Sequence, residues 1–225
     1  MTRQPDLGIS ADLVRDWLAA RSLARGLPAP VFDHGGYRVD TGAEAEIQRW
    51  VFALPCEGLR TLARGIGQPG YLIKLCGPIE HLRPLLPPGW QAQASGYMMA
   101  GPGSGSGQAA CGPAAPRCPD GYTVEVRHSG AVSHVRILAA TGELAASGYC
   151  AETAAVFVYD RIATAEGHRR LGLGTLVMQT LQACKRGAAT PEVLVATAAG
   201  CALYRTLGWR ILSEYATGSL SSAPN

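Results

Sequence analysis

At 225 residues, with 47% apolar and 16% charged side chains, the chain can hold one large domain or two small ones around a buried core. A net charge of only +3, with no basic block interleaved with aromatics, argues against a nucleic-acid partner. No run approaches roughly 18 apolar residues and the first residues form no apolar stretch, so neither a membrane span nor a signal peptide is expected. The seven cysteines are odd in number and irregularly spaced. Most sit among apolar neighbours (Cys76, Cys150, Cys184, Cys201), which fits reduced side chains and a cytoplasmic protein. Cys111 and Cys118 could pair or share a metal, but no second ligand pair accompanies them, so no metal is expected.

Ser10 caps a predicted helix to about Arg25, with Leu13, Val14, Trp17 and Leu18 as its apolar stripe and Gly26-Leu27-Pro28 as its stop. Gly36–Asp40 reads as a short strand. Thr41-Gly42-Ala43-Glu44 has the form of a capping box, predicting a helix through Ile47, Trp50, Val51 and Leu54. A second helical piece runs from Cys56 to about Arg64, and Arg64–Pro69 reads as a turn. Tyr71–Cys76 is a strand, Pro78 opens the helix Ile79–Leu86, and a strand follows Gly89-Trp90 to about Met99. The segment from Ala100 to Pro119 is rich in Gly, Ser, Ala and Pro and predicts a linker or long surface loop.

From Tyr122 the pattern turns to β. Thr123–Arg127 alternates, Ser129-Gly130 and Thr141-Gly142 are turns, and two more strands follow through Cys150. Ala155–Tyr159 is an apolar, β-branched strand. Beyond it come His168-Arg169-Arg170-Leu171-Gly172-Leu173-Gly174-Thr175 and a helix from Leu173 to Cys184, apolar at Leu173, Leu176, Val177 and Leu181. Glycines at a helix start let backbone N–H groups converge on an anion, with help from the helix dipole and from the arginines. A dinucleotide fingerprint fails because position 177 is Val, and the Gly-Lys-Ser/Thr of a phosphate loop is absent. The chain continues with strand Val193–Ala196, helix Ala199–Leu207 and strand Arg210–Tyr215. Gly218–Asn225 is expected to be a disordered tail.

Arg169, Gly172 and Gly174 match Arg/Gln-x-x-Gly-x-Gly/Ala, and Ala202-Leu203-Tyr204-Arg205-Thr206-Leu207-Gly208-Trp209 follows about thirty residues later. Together these resemble the GNAT (Gcn5-related) N-acetyltransferase family over roughly Tyr122–Thr217. The resemblance implies an α/β fold built on a mixed, mostly antiparallel sheet with flanking helices. It implies acetyl-CoA as cosubstrate and an unidentified amine as acceptor, the acetyl group passing directly between them. Backbone groups of Ile162, Ala163 and Thr164 would bond the pantetheine arm. Arg169, Arg170, Leu171, Gly172, Leu173, Gly174 and Thr175 would hold the diphosphate. Tyr204 would be the acid toward the departing sulfur.

For the base, Asp160 shares a strand face with Val156, Val158 and Ile162, where burial would raise its pKa; Glu192 and Glu152 are the alternatives. Thr197 stands where the family has an Asn that binds pantetheine. His168 reads as a loop residue near the phosphates and His134 as a strand histidine.

The family's two helices between its first two strands are missing here, since only His128-Ser129-Gly130 intervene. Thr41–Arg64 is the expected donor of replacements, which would place the acceptor pocket between the halves. Residues 1–100 echo the order of the C-terminal elements. They are either a degenerate half-repeat or an unrelated α/β lobe. The competing function is an acyl-CoA-binding module without turnover. Oligomeric state is left open, a homodimer included.

Overall fold

The computed structural model describes residues 9–102 and 117–220. Its first helix, α1 (Ala11–Arg25), starts where Ser10 Oγ accepts the Leu13 N–H at 3.2 Å. Val14, Trp17 and Leu18 are almost wholly buried on one face of it. Each such side chain contributes about 1.5–3 kcal/mol on leaving water.

A β-hairpin follows where a helix was expected. After β1 (Val31–Asp33), β2 (Gly36–Ala43) turns back into β3 (Glu46–Phe52). Thr41 does not cap. Its hydroxyl donates across the turn to the Glu46 carbonyl, and Gly42 has a left-handed φ of 63°. Trp50, Val51 and Phe52 are buried on both faces of the sheet, a burial that a one-sided helical stripe cannot supply. Thus Thr41–Arg64 holds a single helix, α2 (Glu57–Gly65), with Cys56 at its N-cap. Residues 66–70 turn as expected into β4 (Tyr71–Leu75). Next come the short α3 (Ile79–Leu82), a 3₁₀ turn at Arg83–Leu85, and β5 (Trp90–Ala100).

The C-terminal elements are β6 (Tyr122–Ser129), β7 (Val132–Ala139), β8 (Leu144–Glu152), β9 (Phe157–Thr164), α4 (Leu173–Ala183), β10 (Glu192–Ala196), α5 (Ala198–Thr206) and β11 (Arg210–Leu220). Gly218, Ser219 and Leu220 are not a tail, because they pair with β4 or β5 as the end of β11. Residues 221–225 lie outside the described part. So do Cys111 and most of the Gly-rich connection, while Cys118 hydrogen-bonds the Tyr122 carbonyl.

All eleven strands form one sheet in the order β1-β2-β3-β4-β11-β5-β10-β9-β8-β7-β6. Two pairs are parallel, β3 with β4 and β9 with β10, and the rest are antiparallel. This is the mixed, mostly antiparallel sheet expected. Two runs share one element order: β3-α2-β4-α3-β5 and β9-α4-β10-α5-β11. Each run sends its last strand into the other, so β11 lies between β4 and β5, and β5 between β11 and β10.

Strand alternation sorts the core into two layers. Phe157, Tyr159, Val135 and Ile137 face α4 and α5, while Val156, Val158 and Ala151 face α1. Trp50, Phe52, Ile73 and Leu75 pack with α2 in a third cluster. Among the described residues no helix is long and apolar enough to cross a membrane.

Candidate functional site

The sheet opens in its C-terminal part. β9 and β10 pair only at Phe157↔Glu192 and Val158↔Val193. Past that point they diverge, and the edge of β9 facing β10 loses its strand partner. β9 also bulges there. Ser147 pairs with Ala163 and Tyr149 with Asp160, so Arg161 and Ile162 together oppose Gly148. Arg161 has a left-handed φ of 54°, and its guanidinium donates to the Ala24 carbonyl of α1 and lies 3.7 Å over the Tyr149 ring. These two contacts of the guanidinium hold this strained backbone in place.

A cavity of about 250 Å³ fills the opening. Ile162, Leu194, Ala196, Thr197 and Tyr204 wall it on the side of the parting strands and α5. Tyr204 is 7% exposed, and burial pushes its phenol up to about 12. It therefore keeps its proton at any working pH and offers an O–H donor. Thr197 Oγ1 is engaged in capping α5, accepting the Gly200 N–H at 3.2 Å.

The glycine-bearing turn lies at the Thr164 end of β9. A 3₁₀ turn, Glu166–His168, leads through Arg169 and Arg170 to Gly172, the N-cap of α4. Gly172 has φ 78°, a conformation costing other residues about 1–2 kcal/mol. No side chain caps this helix. The first intrahelical bond is Leu176 N–H to the Gly172 carbonyl, so the N–H groups of Leu173, Gly174 and Thr175 precede the helical ladder. Arg169, Arg170 and Leu171 are exposed, and neither arginine forms an ion pair among the described residues. A methyl group added at Gly174 would lie 3.3 Å from Leu203 and 3.7 Å from Thr164 Oγ1, so the turn packs against α5 and the end of β9.

The carboxylates sit differently from expectation. Asp160 is buried at the cleft, but Arg25 grips it twice (Nε–Oδ2 2.6 Å, Nη2–Oδ1 2.9 Å), with Arg21 at 3.4 Å and Arg161 at 3.5 Å. A carboxylate so surrounded anchors α1 to β9, and its oxygens are taken up by guanidinium groups. Glu192 stands at the start of β10, opposite Phe157, whereas the cleft opens at the strand ends. It accepts from Tyr159 Oη at 2.7 Å and from Lys185 Nζ at 3.0 Å inside the core. Burial, then the neighbouring Glu192, pushes the Tyr159 phenol well up. Glu192 therefore lies away from the end at which the strands part, and it does not line the cavity. Glu152 accepts the N–H groups of Arg186 and Gly187; burial alone would raise its pKa, but these bonds hold it below the usual range.

The histidines have structural partners. His168 Nδ1 meets Tyr122 Oη at 2.9 Å, and His134 stacks on Tyr149 at 3.9 Å. The helix walling the cleft is α1 rather than Thr41–Arg64, whose α2 packs elsewhere. Trp17, Arg21 and Arg25 line the cavity from it, and the sequence reading missed both arginines. Their i, i+4, i+8 spacing marks one helix row and was the available signal.

No family model and no curated protein matches the chain. Solved structures do. A GCN5-related N-acetyltransferase from Kribbella flavida is 18% identical, with TM-score 0.62 over 96% of this chain and 97% of that one. Another from Sphaerobacter thermophilus is 14% identical, with TM-score 0.57 over 85% and 78%. A tandem GNAT protein from the clavulanic acid biosynthesis pathway is 13% identical, with TM-score 0.53 over 97% and 99%.

Proposed function

We propose that this chain, which carries the fold of the GCN5-related N-acetyltransferases, is an acyl-CoA-dependent N-acyltransferase. One observation carries the reading. An uncapped helix N-terminus stands beyond the Thr164 end of β9, the same strand whose splay from β10 opens a cavity lined by Ile162 and Tyr204. The free N–H groups at Leu173–Thr175, with Leu171, Gly172, Arg169 and Arg170, suit the diphosphate of acetyl-CoA. The unpaired edge of Ile162, Ala163 and Thr164 suits the amide groups of its pantetheine arm, much as an added strand would.

Chemistry then needs little from the protein beyond positioning. The amine lone pair attacks the thioester carbonyl carbon, the C–S bond breaks with its electron pair on sulfur, and the surplus proton on nitrogen passes to water. Tyr204 presents its O–H to the departing sulfur. A phenol held at about 12 is a weaker acid than a thiol near 8.5. Its contribution is hydrogen-bond stabilisation of the thiolate, which then takes its proton from solvent.

The N-terminal run is read as a degenerate half-repeat without a donor site of its own. Its parallel strands β3 and β4 stay paired from Gln48↔Tyr71 to Phe52↔Leu75, leaving no opening. The turn before α2, 53–56, contains Pro55 and no glycine.

A second reading, an acyl-CoA-binding module without turnover, draws on the lack of an uncommitted carboxylate among the residues lining the cleft. Two measurements decide. Calorimetry should give micromolar acetyl-CoA binding that Arg169→Ala weakens; no binding overturns both readings. Thiol release with an amine panel should then follow; binding without release favours the module.

A further inference from the structure

The acceptor side of the cleft is strongly unbalanced in charge. Its lining holds three guanidiniums, Arg21, Arg25 and Arg161, against one carboxylate, Asp160. Two positive charges are left over in a cavity whose other walls are mainly apolar side chains. The geometry leaves donors to spare. Arg25 commits Nε and Nη2 to Asp160, and Arg21 has its Nε 3.4 Å from that carboxylate, with no hydrogen bond to it, while lying 5.6 Å over the Trp17 ring. The terminal nitrogens of Arg21 and Nη1 of Arg25 have no acceptor among the described residues. These side chains are only 18% and 26% exposed, so their charge is weakly screened. Positive charge continues behind the cleft, where Lys74 and Arg49 face the single carboxylate of Glu46.

These arginines are not part of the diphosphate grip. Asp160 precedes Thr164 by four strand residues, on the order of 10 Å, and the glycine turn lies at the Thr164 end. The arginines belong to the opposite end of the cleft, beyond the bulge, where the second substrate must enter. At about 250 Å³ the space suits a small molecule rather than a folded protein.

We infer that the acceptor is a small amine carrying its own anionic group, a carboxylate or a phosphate, which Arg21 and Arg25 bind in the cleft beside Asp160. This rests on the acyltransfer reading above. A guanidinium fork matches either anion with paired hydrogen bonds. It also orients the amine: with the anion held on α1, the nitrogen is directed toward the bulge at Arg161–Ile162.

The test compares matched acceptors at fixed acetyl-CoA, scoring thiol release. The probes are the common amino acids, each beside its carboxamide, and O-phosphoethanolamine beside ethanolamine. The anionic member of at least one pair should have a kcat/KM tenfold or more above its neutral partner. The amino-acid pairs identify a carboxylate acceptor and the other pair a phosphate. Arg21→Gln should raise KM for the preferred acid at least tenfold and leave the Kd of acetyl-CoA within twofold. Arg161→Gly removes a second guanidinium at a position whose φ glycine adopts freely, so it should also raise that KM with the fold intact. Neutral amines reacting as well as or better than every anionic partner, no anionic probe reacting, or an Arg21→Gln loss confined to acetyl-CoA binding would each overturn the inference. A protein that binds acetyl-CoA and prefers neutral amines loses only this inference; one that does not bind acetyl-CoA loses the parent reading too.

Discussion

Arg25, the last residue of α1, closes a two-point ion pair on Asp160 of β9 across 135 residues of chain, at 2.6 and 2.9 Å. The pair fixes the helix that walls the cleft to the strand that opens it. Removing one member leaves buried charge without its partner. Asp160→Asn should therefore cost roughly 3 kcal/mol of stability, read from urea melts. The acid limb of its pH–rate profile should keep its midpoint. Disappearance of that limb with stability intact would make Asp160 the proton acceptor after all.

Tyr204 should affect turnover more than binding. Tyr204→Phe keeps the ring against Trp209 and removes the hydroxyl of a residue that lines the cavity. A fall in kcat of about 10²-fold is expected, with the Kd of acetyl-CoA nearly unchanged. Because burial holds the phenol at about 12, an alkaline limb seen below pH 10 in the wild type should persist in the variant. Its loss would contradict the burial argument.

At Gly172 the backbone conformation, not space, is limiting: φ is 78° and an added Cβ meets nothing within 4 Å. Gly172→Val should lose about 1–2 kcal/mol of stability and bind acetyl-CoA at least tenfold more weakly. Gly172→Asn, which tolerates this φ, should recover most of the stability. Equal acetyl-CoA affinity in Gly172→Val and wild type would place the diphosphate elsewhere.

Lys74 gives a stability effect with a definite sign. Burial lowers its pKa from 10.5 to about 8, although Thr217 Oγ1 sits 3.1 Å from its Nζ. Between about pH 8 and 10.5 the unfolded chain keeps this proton and the folded protein has released it. The unfolded state then binds more protons, so the Lys74 contribution rises with pH across that window and is flat below it. Denaturant melts of wild type and Lys74→Met, compared from pH 7.5 to 10, should converge in the wild type's favour by up to about 3 kcal/mol. A constant difference would refute the shift.

Gly96 tests the exchanged strands. A Cβ on it would fall 1.9 Å from the Ala196 carbonyl oxygen, a backbone atom that cannot turn aside. Gly96→Ala should lower stability by more than about 3 kcal/mol and impair the cleft, since Ala196 lines it. A variant as stable as wild type, by thermal melting, would contradict this packing.

Much of this was legible locally. The Ser10 cap, the stripe of α1, the C-terminal strands, the glycine turn and the Tyr204 helix are written in neighbouring residues. The hairpin at 41–52 was not, because Thr41–Glu44 imitates a helix start while the burial of Trp50–Phe52 depends on strands β2 and β4 on either side. Asp160 was correctly read as buried; its commitment to Arg25 is invisible without the packing of α1. Glu192 was weighed as a base, but its place at the start of β10, away from the opening, shows only once β9 and β10 are paired. In a parallel pair both strands begin at one edge, and ligands gather where they end. No local pattern shows that β5 and β11 change places, since each pairs with strands far away in the chain.

That interchange bears on how the molecule can be made. Of the eleven described strands β11 comes last in sequence, and it occupies the middle of the sheet between β4 and β5. Until it arrives, two inner edges stand bare, and the N-terminal hundred residues cannot complete their own sheet. Maturation therefore waits on residues 210–220, and a chain cut short before them would be cleft at the centre of its sheet instead of trimmed at its rim.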